Sequence, residues 1–290
     1  MNFTNKSRFK IAENCPCGKS NKDGKFVPFN EYTDCGYCHS CGETFWPDEE
    51  NDTGKVFSIS GKVEIERQYI EPEFLKRTLS NYSNNIFYQW LIVLIGKEAA
   101  NRIKSRFLIG TSKSGGVVWW MVNDSLQICQ PKLMNYNTNG HREGLPFVPK
   151  GFNRDSGYST CLFGLHQLSK NHKSSETLIL VESEKTAVLG YYAFPKYIWL
   201  ASGGATGLSQ DKAKPLKGHK VLIVPDSDKA GRKGAEQTKE RLSRLGIKSN
   251  VVDLFPDRND GYDLADHIQN ENTVVQKKGI VKKISDLKVA

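Results

Sequence analysis

The segment Val-Pro-Asp-Ser-Asp-Lys-Ala-Gly-Arg-Lys-Gly-Ala, residues 224–235, constrains this chain more than any other. It follows a run at 220–224 with buried-strand character, and it opens a helical pattern that continues to Leu245. Asp226 and Asp228 therefore fall at the carboxyl end of an expected strand, the edge where open α/β sheets bind ligands. Residues two apart on extended backbone point the same way, so both carboxylates are expected to face one site. Hard oxygen donors in such a cluster suit Mg²⁺, which takes one or two carboxylates and fills its shell with water and phosphate oxygens. Lys229, Arg232 and Lys233 follow at the start of the helix, where cations and backbone N–H groups meet phosphate.

One Asp-x-Asp pair is common in turns, and the weight comes from what stands upstream. Residues 178–187, Leu-Ile-Leu-Val-Glu-Ser-Glu-Lys-Thr-Ala, form a second strand-to-helix junction that ends its apolar run at Glu182. A third strand-like run at 197–201 breaks into Ser202-Gly203-Gly204. A carboxylate after one strand, glycines after the next and paired carboxylates after the third make one constellation. It resembles the Toprim domain shared by DnaG-type primases, topoisomerases and some nucleases, over residues 176–270. The likeness is closest to the primases, whose Asp-x-Asp-x-Ala-Gly-Arg-Lys pattern is matched by Asp226, Asp228, Ala230, Gly231, Arg232 and Lys233.

Five of the seven cysteines crowd between Cys15 and Cys41, a density that reads as metal binding rather than disulfide in a cytosolic chain. Cys38-x-x-Cys41 has zinc-knuckle spacing, while Cys15-x-Cys17 is tighter than usual. Cys15, Cys17, Cys38 and Cys41 are the expected zinc ligands of a closed structural site, with Cys35 and His39 in reserve for the fourth position. Cys129 and Cys161 are expected to be plain buried residues. The region resembles the zinc ribbon that precedes the catalytic domain in DnaG-type primases, although those ribbons carry a histidine in the first pair. Phe26, Phe29, Tyr32, Tyr37, Phe45 and Trp46 interleave with Lys19, Lys22 and Lys25. Most of these aromatics are expected in a miniature core, with one or two left to stack on unpaired bases.

The expected architecture is α/β: an open, mainly parallel Toprim sheet with flanking helices, preceded by a basic α+β subdomain and an N-terminal β zinc ribbon. The boundaries are 1–47 for the ribbon, 48–60 for an acidic linker, 61–175 for the basic subdomain, 176–270 for the Toprim unit and 271–290 for a basic tail. Within 61–175, residues 72–79 and 86–103 show helical spacing and 117–122 has strand composition. Of Trp119 and Trp120, one ring is expected in the core and one outward. Residues 130–142 read as a turn-rich basic stretch. It resembles the segment that forms a basic wall of the cleft in small primase-like proteins of phages and mobile elements, with Lys132 and Arg142 as phosphate contacts.

The resemblance implies Mg²⁺ or Mn²⁺ held by Glu182, Asp226 and Asp228, Glu182 as a general base, Lys185 on a phosphate and Glu184 as an outer ligand. A further acid usual four residues after the glutamate is Thr186 here. Asp263 or Asp266 reaches a second metal or caps a helix. The formal net charge of +9 favours an anionic partner. The polar start of the chain and the short apolar run at 90–95 point to a cytoplasmic protein without membrane association. The resemblance, ribbon first and Toprim unit last, implies a primase-like nucleotidyltransferase that makes primers from nucleoside triphosphates on single-stranded DNA. Any helicase coupling is expected in trans, since the family's helicase-binding region has no counterpart. A Toprim nuclease and a catalytically weak nucleic-acid-binding replication or mobilisation factor are the alternatives.

Overall fold

The computed structural model describes residues 8–22, 24–29, 32–46, 67–153, 156–168, 176–204 and 207–270. The expected linker at 48–60 and tail at 271–290 lie outside them. The chain divides into two compact units, Met1–Val63 and Glu64–Ala290. No helix among the described residues is long and apolar enough to cross a membrane.

The first unit carries a short helix α1 (Arg8–Ile11) and three strands, β1 (Phe26–Pro28), β2 (Gly36–Cys38) and β3 (Thr44–Phe45), paired antiparallel in that order. Its core is small: Ala12, Cys15, Phe26 and Cys38. Asn21 compensates for the scarcity of apolar side chains. Its buried amide donates to the carbonyls of Ala12 and Phe26, both at 3.0 Å, and accepts from the Phe26 N–H at 2.7 Å. Phe26 and Phe29 are buried, Tyr32, Tyr37 and Phe45 half-buried, and Trp46 is exposed against Phe29.

The second unit opens with α2 (Pro72–Thr78), α3 (Ile86–Ile95) and α4 (Lys97–Arg106). The helical spacing of 86–103 runs on in sequence, but the helix breaks at Gly96, whose φ of 83° an L side chain rarely adopts. An antiparallel sheet follows, β4 (Gly110–Thr111), β5 (Val117–Val122), β6 (Ile128–Tyr136) and β7 (Arg142–Phe147), in spatial order β4-β5-β6-β7. Residues 130–142 are thus mostly strand, not the turn-rich stretch expected. Asn135, Asn137 and Pro131 obscured the pattern, because β6 exposes part of one face and β7 is exposed throughout. Pro131 is tolerated because β7 ends opposite Leu133, leaving Pro131 with a ladder partner only on β5.

Trp119 and Trp120 point to opposite faces as strand alternation requires, yet both are buried. Trp119 packs edge-on against Phe163 and Phe87. Trp120 lies in a second small core with Ile70, Leu75, Val118, Val122 and Ile128, and its indole N–H donates to Thr78 at 2.8 Å. The outward face is covered by α2, which the expectation of one exposed ring did not allow for.

The remaining elements are β8 (Thr177–Val181), α5 (Glu184–Ala193), β9 (Ile198–Ala201), α6 (Gln210–Ala213), β10 (Lys220–Ile223), α7 (Lys229–Arg244), β11 (Ser249–Val251) and α8 (Leu264–Asn270). The strands pair in parallel in the order β11-β10-β8-β9. Their near-continuous apolar runs fit a sheet buried on both faces. From β8 the chain moves to β9 on one side and then returns to β10 on the other. The β8–β10 boundary is therefore the topological switch point, where such sheets bind ligands. One apolar cluster joins this sheet to the antiparallel one, through Phe107, Trp119, Phe163, Leu178 and Trp199.

Gly190 lets α5 sit directly on Trp199. A Cβ there would lie 2.3 Å from the indole ring of this fully buried residue. Gly190→Ala is expected to cost about 1–3 kcal/mol by overpacking. Chemical denaturation should show a lower midpoint for this variant, with part of the loss recovered by also changing Trp199→Leu.

Candidate active site and metal centre

In the first unit the turn after α1 presents Cys15 and Cys17, and the end of β2 presents Cys38 with Cys41 three residues on. Their four sulfurs lie within 4.8 Å of one another. Tetrahedral Zn²⁺ with sulfur ligands at about 2.3 Å requires sulfurs about 3.8 Å apart, so the cluster can hold one zinc ion with little movement. The Cys17 N–H donates to the Cys15 sulfur at 3.4 Å, the kind of amide contact that stabilises thiolates. Hydrogen bonding from Cys15, ahead of all other causes, pulls the Cys17 thiol down to about 7, while burial pushes Cys15 and Cys41 up. His39 does not join the group; its ring packs edge-on against Tyr37. Cys35 is buried elsewhere, with its thiol against Asp34.

In the second unit the carboxylates gather at the carboxyl ends of β8 and β10. Leu180 pairs with Ile223, and the Val224 N–H donates to the Leu180 carbonyl at 2.9 Å, so the two strands remain aligned up to their last residues. Glu182 leaves β8 and Asp226 leaves β10 side by side, with the Asp226 N–H donating to the Glu182 carboxylate. Helix α5 starts from Ser183, whose hydroxyl accepts the Thr186 N–H, and α7 starts from Asp228, whose carboxylate accepts the Gly231 N–H at 2.6 Å. Gly231 is required by proximity: a Cβ there would lie 2.5 Å from the Asp226 carbonyl and 2.8 Å from Glu182 Oε1.

A third helix start completes the group. Asp263 caps α8 through the Asp266 N–H at 2.8 Å, and its other oxygen accepts from the Thr186 hydroxyl at 2.6 Å. A cavity of about 290 Å³ opens here, lined by Glu182, Asp226, Asp263 and Asp266. Basic side chains line it as well: Lys132 from β6, Arg142 from β7 and Lys185 from α5. Lys132 holds the buried Glu184 by two contacts of 2.7 and 2.8 Å, and Lys185 stands 3.6 Å from Asp266.

The chain thus brings Glu182, Asp226, Lys132, Arg142 and Lys185 to one cavity. Asp228 stands at its edge, committed to capping α7, and acts on the site through its charge. Lys229 and Lys233 are exposed on α7 away from the cavity lining. Arg232 pairs with Asp253 at 2.7 Å and donates to the carbonyls of Phe255 and Arg258, pinning the segment after β11. Tyr136 and His141 also line the cavity and were not singled out from the sequence. Their place depends on the β6–β7 pairing, which no local pattern announced.

Burial first, and then the charges of Glu182, Asp263, Asp228 and Asp266, push the Asp226 carboxyl up to about 8. Glu182 is raised by burial and by Asp228 and Asp263, against the opposing hydrogen bond from the Asp226 N–H. Burial and Asp266 raise Asp263, while the Thr186 hydroxyl works the other way. Glu182 Oε1 is buried without a hydrogen-bond partner among the described residues. An orphaned buried oxygen within a crowd of carboxylates is an arrangement that a divalent cation satisfies.

A family model described as a domain of unknown function (DUF6371) matches residues 85–227, from the start of α3 to just past Asp226. No curated protein matches the sequence. Among solved structures, the chain is similar to the E. coli primase catalytic core, with a TM-score of 0.50 and 15% identity over 74% of this chain and 78% of that one. It is also similar to the zinc-binding and RNA polymerase domains of Aquifex aeolicus primase, with a TM-score of 0.45 and 18% identity over 74% of this chain and 66% of that one. A third likeness is to the RNA polymerase domain of Mycobacterium tuberculosis primase DnaG in complex with double-stranded DNA, with a TM-score of 0.49 and 14% identity over 73% and 77% of the two chains. The chain spans about two thirds of the length of the Aquifex structure. At 15% identity the likeness to the E. coli core is one of fold: a mixed α/β arrangement around a parallel sheet.

Two measurements test these centres. Metal analysis of the purified chain should find about one zinc per molecule, and Cys38→Ser should lose it together with protection of residues 8–46 from proteolysis. The second concerns pH. With Asp226 at about 8 in the folded chain and near 3.8 unfolded, the folded form keeps a proton that the unfolded chain has released. Metal-free protein should therefore lose stability as pH rises from about 4 to 8, and Mg²⁺ should restore it at the upper end. Asp226→Asn should flatten the slope and melt above wild type at about pH 8 without Mg²⁺. A variant that melts well below wild type there would mark Asp226 as a structural acid.

Proposed function

We propose that this chain is a primase-like nucleotidyltransferase of the Toprim type, joining nucleotides on a single-stranded DNA template. The observation that carries this reading is Glu182 Oε1, buried and without a hydrogen-bond partner among the described residues, beside Asp226 and Asp263 at the switch point, in a cavity that Lys132, Arg142 and Lys185 also line. Likeness of fold to a primase catalytic core supports it, as does a four-cysteine cluster ahead of the sheet.

Mg²⁺ or Mn²⁺ held by Glu182 and Asp226, with Asp228 and Asp263 close by, would supply positive charge where the phosphoryl oxygens gain negative charge. The rest falls to the chain itself. Arg142, exposed at the rim, and Lys132 and Lys185 on the wall are the groups that bind a triphosphate. In the reaction a 3′-hydroxyl oxygen forms a bond to the α-phosphorus while the bond to pyrophosphate breaks. Glu182, raised by burial, is the carboxylate suited to take the hydroxyl proton. The same basic groups then carry the departing pyrophosphate's charge. Single-stranded DNA fits the net charge of +9 as a polyanionic partner.

The deciding experiment incubates the chain with single-stranded DNA, labelled nucleoside triphosphates and Mg²⁺ or Mn²⁺. Labelled oligomers are expected, and Asp226→Asn should reduce their yield at least about 100-fold, the scale on which loss of charge stabilisation in a transition state is felt. Shortening of the template instead would assign a nuclease, and a gel shift without either product a binding factor.

A further inference from the structure

Beside the carboxylate cavity lies a second one of about 310 Å³, and the two differ in chemistry. The first is walled by charges. The second has a more apolar wall, with Phe147 at the end of β7, Val148 just after it, Met121 on β5 and Ala201 at the end of β9, beside the polar Gln130 and Lys212. They share Lys132, Glu184 and Gly203, so the Lys132–Glu184 ion pair forms the partition between them. The volume falls at the small end of the range for small-molecule sites, about 300–1,000 Å³.

Phe147 is the unusual member. It is the last residue of β7, held opposite Leu133, and its half-exposed side chain lines the cavity. It makes no ring-to-ring contact among the described residues, unlike most aromatics of this unit. A half-exposed apolar ring, presented by a strand in a cavity wall, is what a heterocyclic base stacks upon.

We infer that the second cavity is a nucleobase subsite, in which Phe147 stacks on the base of the nucleotide whose triphosphate occupies the adjoining charged cavity. This rests on the nucleotidyltransferase reading and deepens it. A nucleoside triphosphate is itself divided in this way: a polyanion at one end, a planar and largely apolar ring at the other. The two cavities offer those chemistries side by side, and the Lys132–Glu184 ion pair between them marks where the charged end stops. Stacking does not read the base's hydrogen-bonding edge, so the subsite accepts purines and pyrimidines alike and leaves selection to a template. Gly203 belongs to the same partition. Its φ of 87° turns the chain sharply after β9, and a Cβ there would stand 4.0 Å from the Glu184 carboxylate, in the shared wall.

The test is equilibrium binding in the presence of Mg²⁺, by calorimetry, of ATP and of inorganic tripolyphosphate to wild type, Phe147→Ala and Phe147→Tyr. Wild type should bind ATP more tightly than tripolyphosphate. Phe147→Ala should weaken ATP about 5- to 150-fold, the range of a lost stack of base on aromatic ring, and leave tripolyphosphate unchanged. Phe147→Tyr should keep the preference for ATP. An unchanged ATP affinity in Phe147→Ala, or an equal loss for both ligands, overturns the subsite. Wild type that binds tripolyphosphate as tightly as ATP overturns the subsite alone and leaves the catalytic reading standing. Wild type that binds neither removes both.

Discussion

The hydrogen-bonded pairing of β8 with β10 is the constraint on which this site depends. Strands adjacent in the sheet but separated in the chain, with β9 on the far side, leave a crevice at their carboxyl ends. The register from Lys220↔Thr177 to Ile223↔Leu180 then decides which residues stand in it. A slip of one residue would turn alternate side chains to the opposite face and take one carboxylate out of the group. Two apolar runs of four or five residues therefore do more than fill a core, since they align Glu182 with Asp226. Gly231 and the cap at Asp228 bring the start of α7 against this pair, and Arg232 secures the segment leading from β11 through its contacts with Asp253 and two carbonyls.

Assembling these acids is expensive, and the surroundings show how the cost is contained. With its carboxyl raised to about 8, Asp226 stays mostly protonated at pH 7 in the absence of a cation and costs on the order of 4 kcal/mol, a large part of a small protein's stability. Three helices begin around the cavity, α5, α7 and α8, and the partial positive charge of each start faces the carboxylates. Individual oxygens are met by the Asp226 N–H, the Gly231 N–H, the Asp266 N–H and the Thr186 hydroxyl. Lys132 and Lys185 add positive charge through their contacts with Glu184 and Asp266. Glu182 Oε1 is passed over by all of these. Among the described residues it is the one fully buried carboxylate oxygen left without a hydrogen-bond partner.

Much of this was legible from sequence, for a physical reason. Parallel strands buried on both faces show as unbroken apolar runs, and carboxylates that follow them directly must lie at the sheet's edge, so Glu182 and Asp226 could be placed without a structure. The cysteine turns were legible likewise because their spacing is local. The antiparallel sheet was not. Its strands mix polar and apolar residues, and β7 has every side chain exposed, so 130–142 resembled a loop and the pairing that brings Tyr136, His141 and Phe147 to the cavities stayed hidden. The burial of Trp120 was missed because alternation tells which face a residue takes and not whether another element covers it. The positions of Arg232 and Asp228 show a further limit. A cation or acid at a helix start is equally suited to phosphate, metal, cap or loop anchor, and only the contacts separate these roles.

Thr186 illustrates how a departure from pattern gains meaning from its neighbours. By spacing alone, a threonine in place of an acid four residues after Glu182 looks like a ligand lost. In the fold its hydroxyl meets Ser183 at 2.7 Å and donates to Asp263 at 2.6 Å, across 77 positions of chain. A carboxylate at 186 would instead confront Asp263 with like charge in a buried setting, where one of the two would have to take up a proton. The hydroxyl avoids that repulsion and lowers the cost of keeping Asp263 ionised. It also ties the first turn of α5 to the start of α8, which fixes the distance from Glu182 to Asp263 through two rigid helix ends. A hydroxyl rather than an acid at 186 thus leaves the neighbouring carboxylate easier to keep charged.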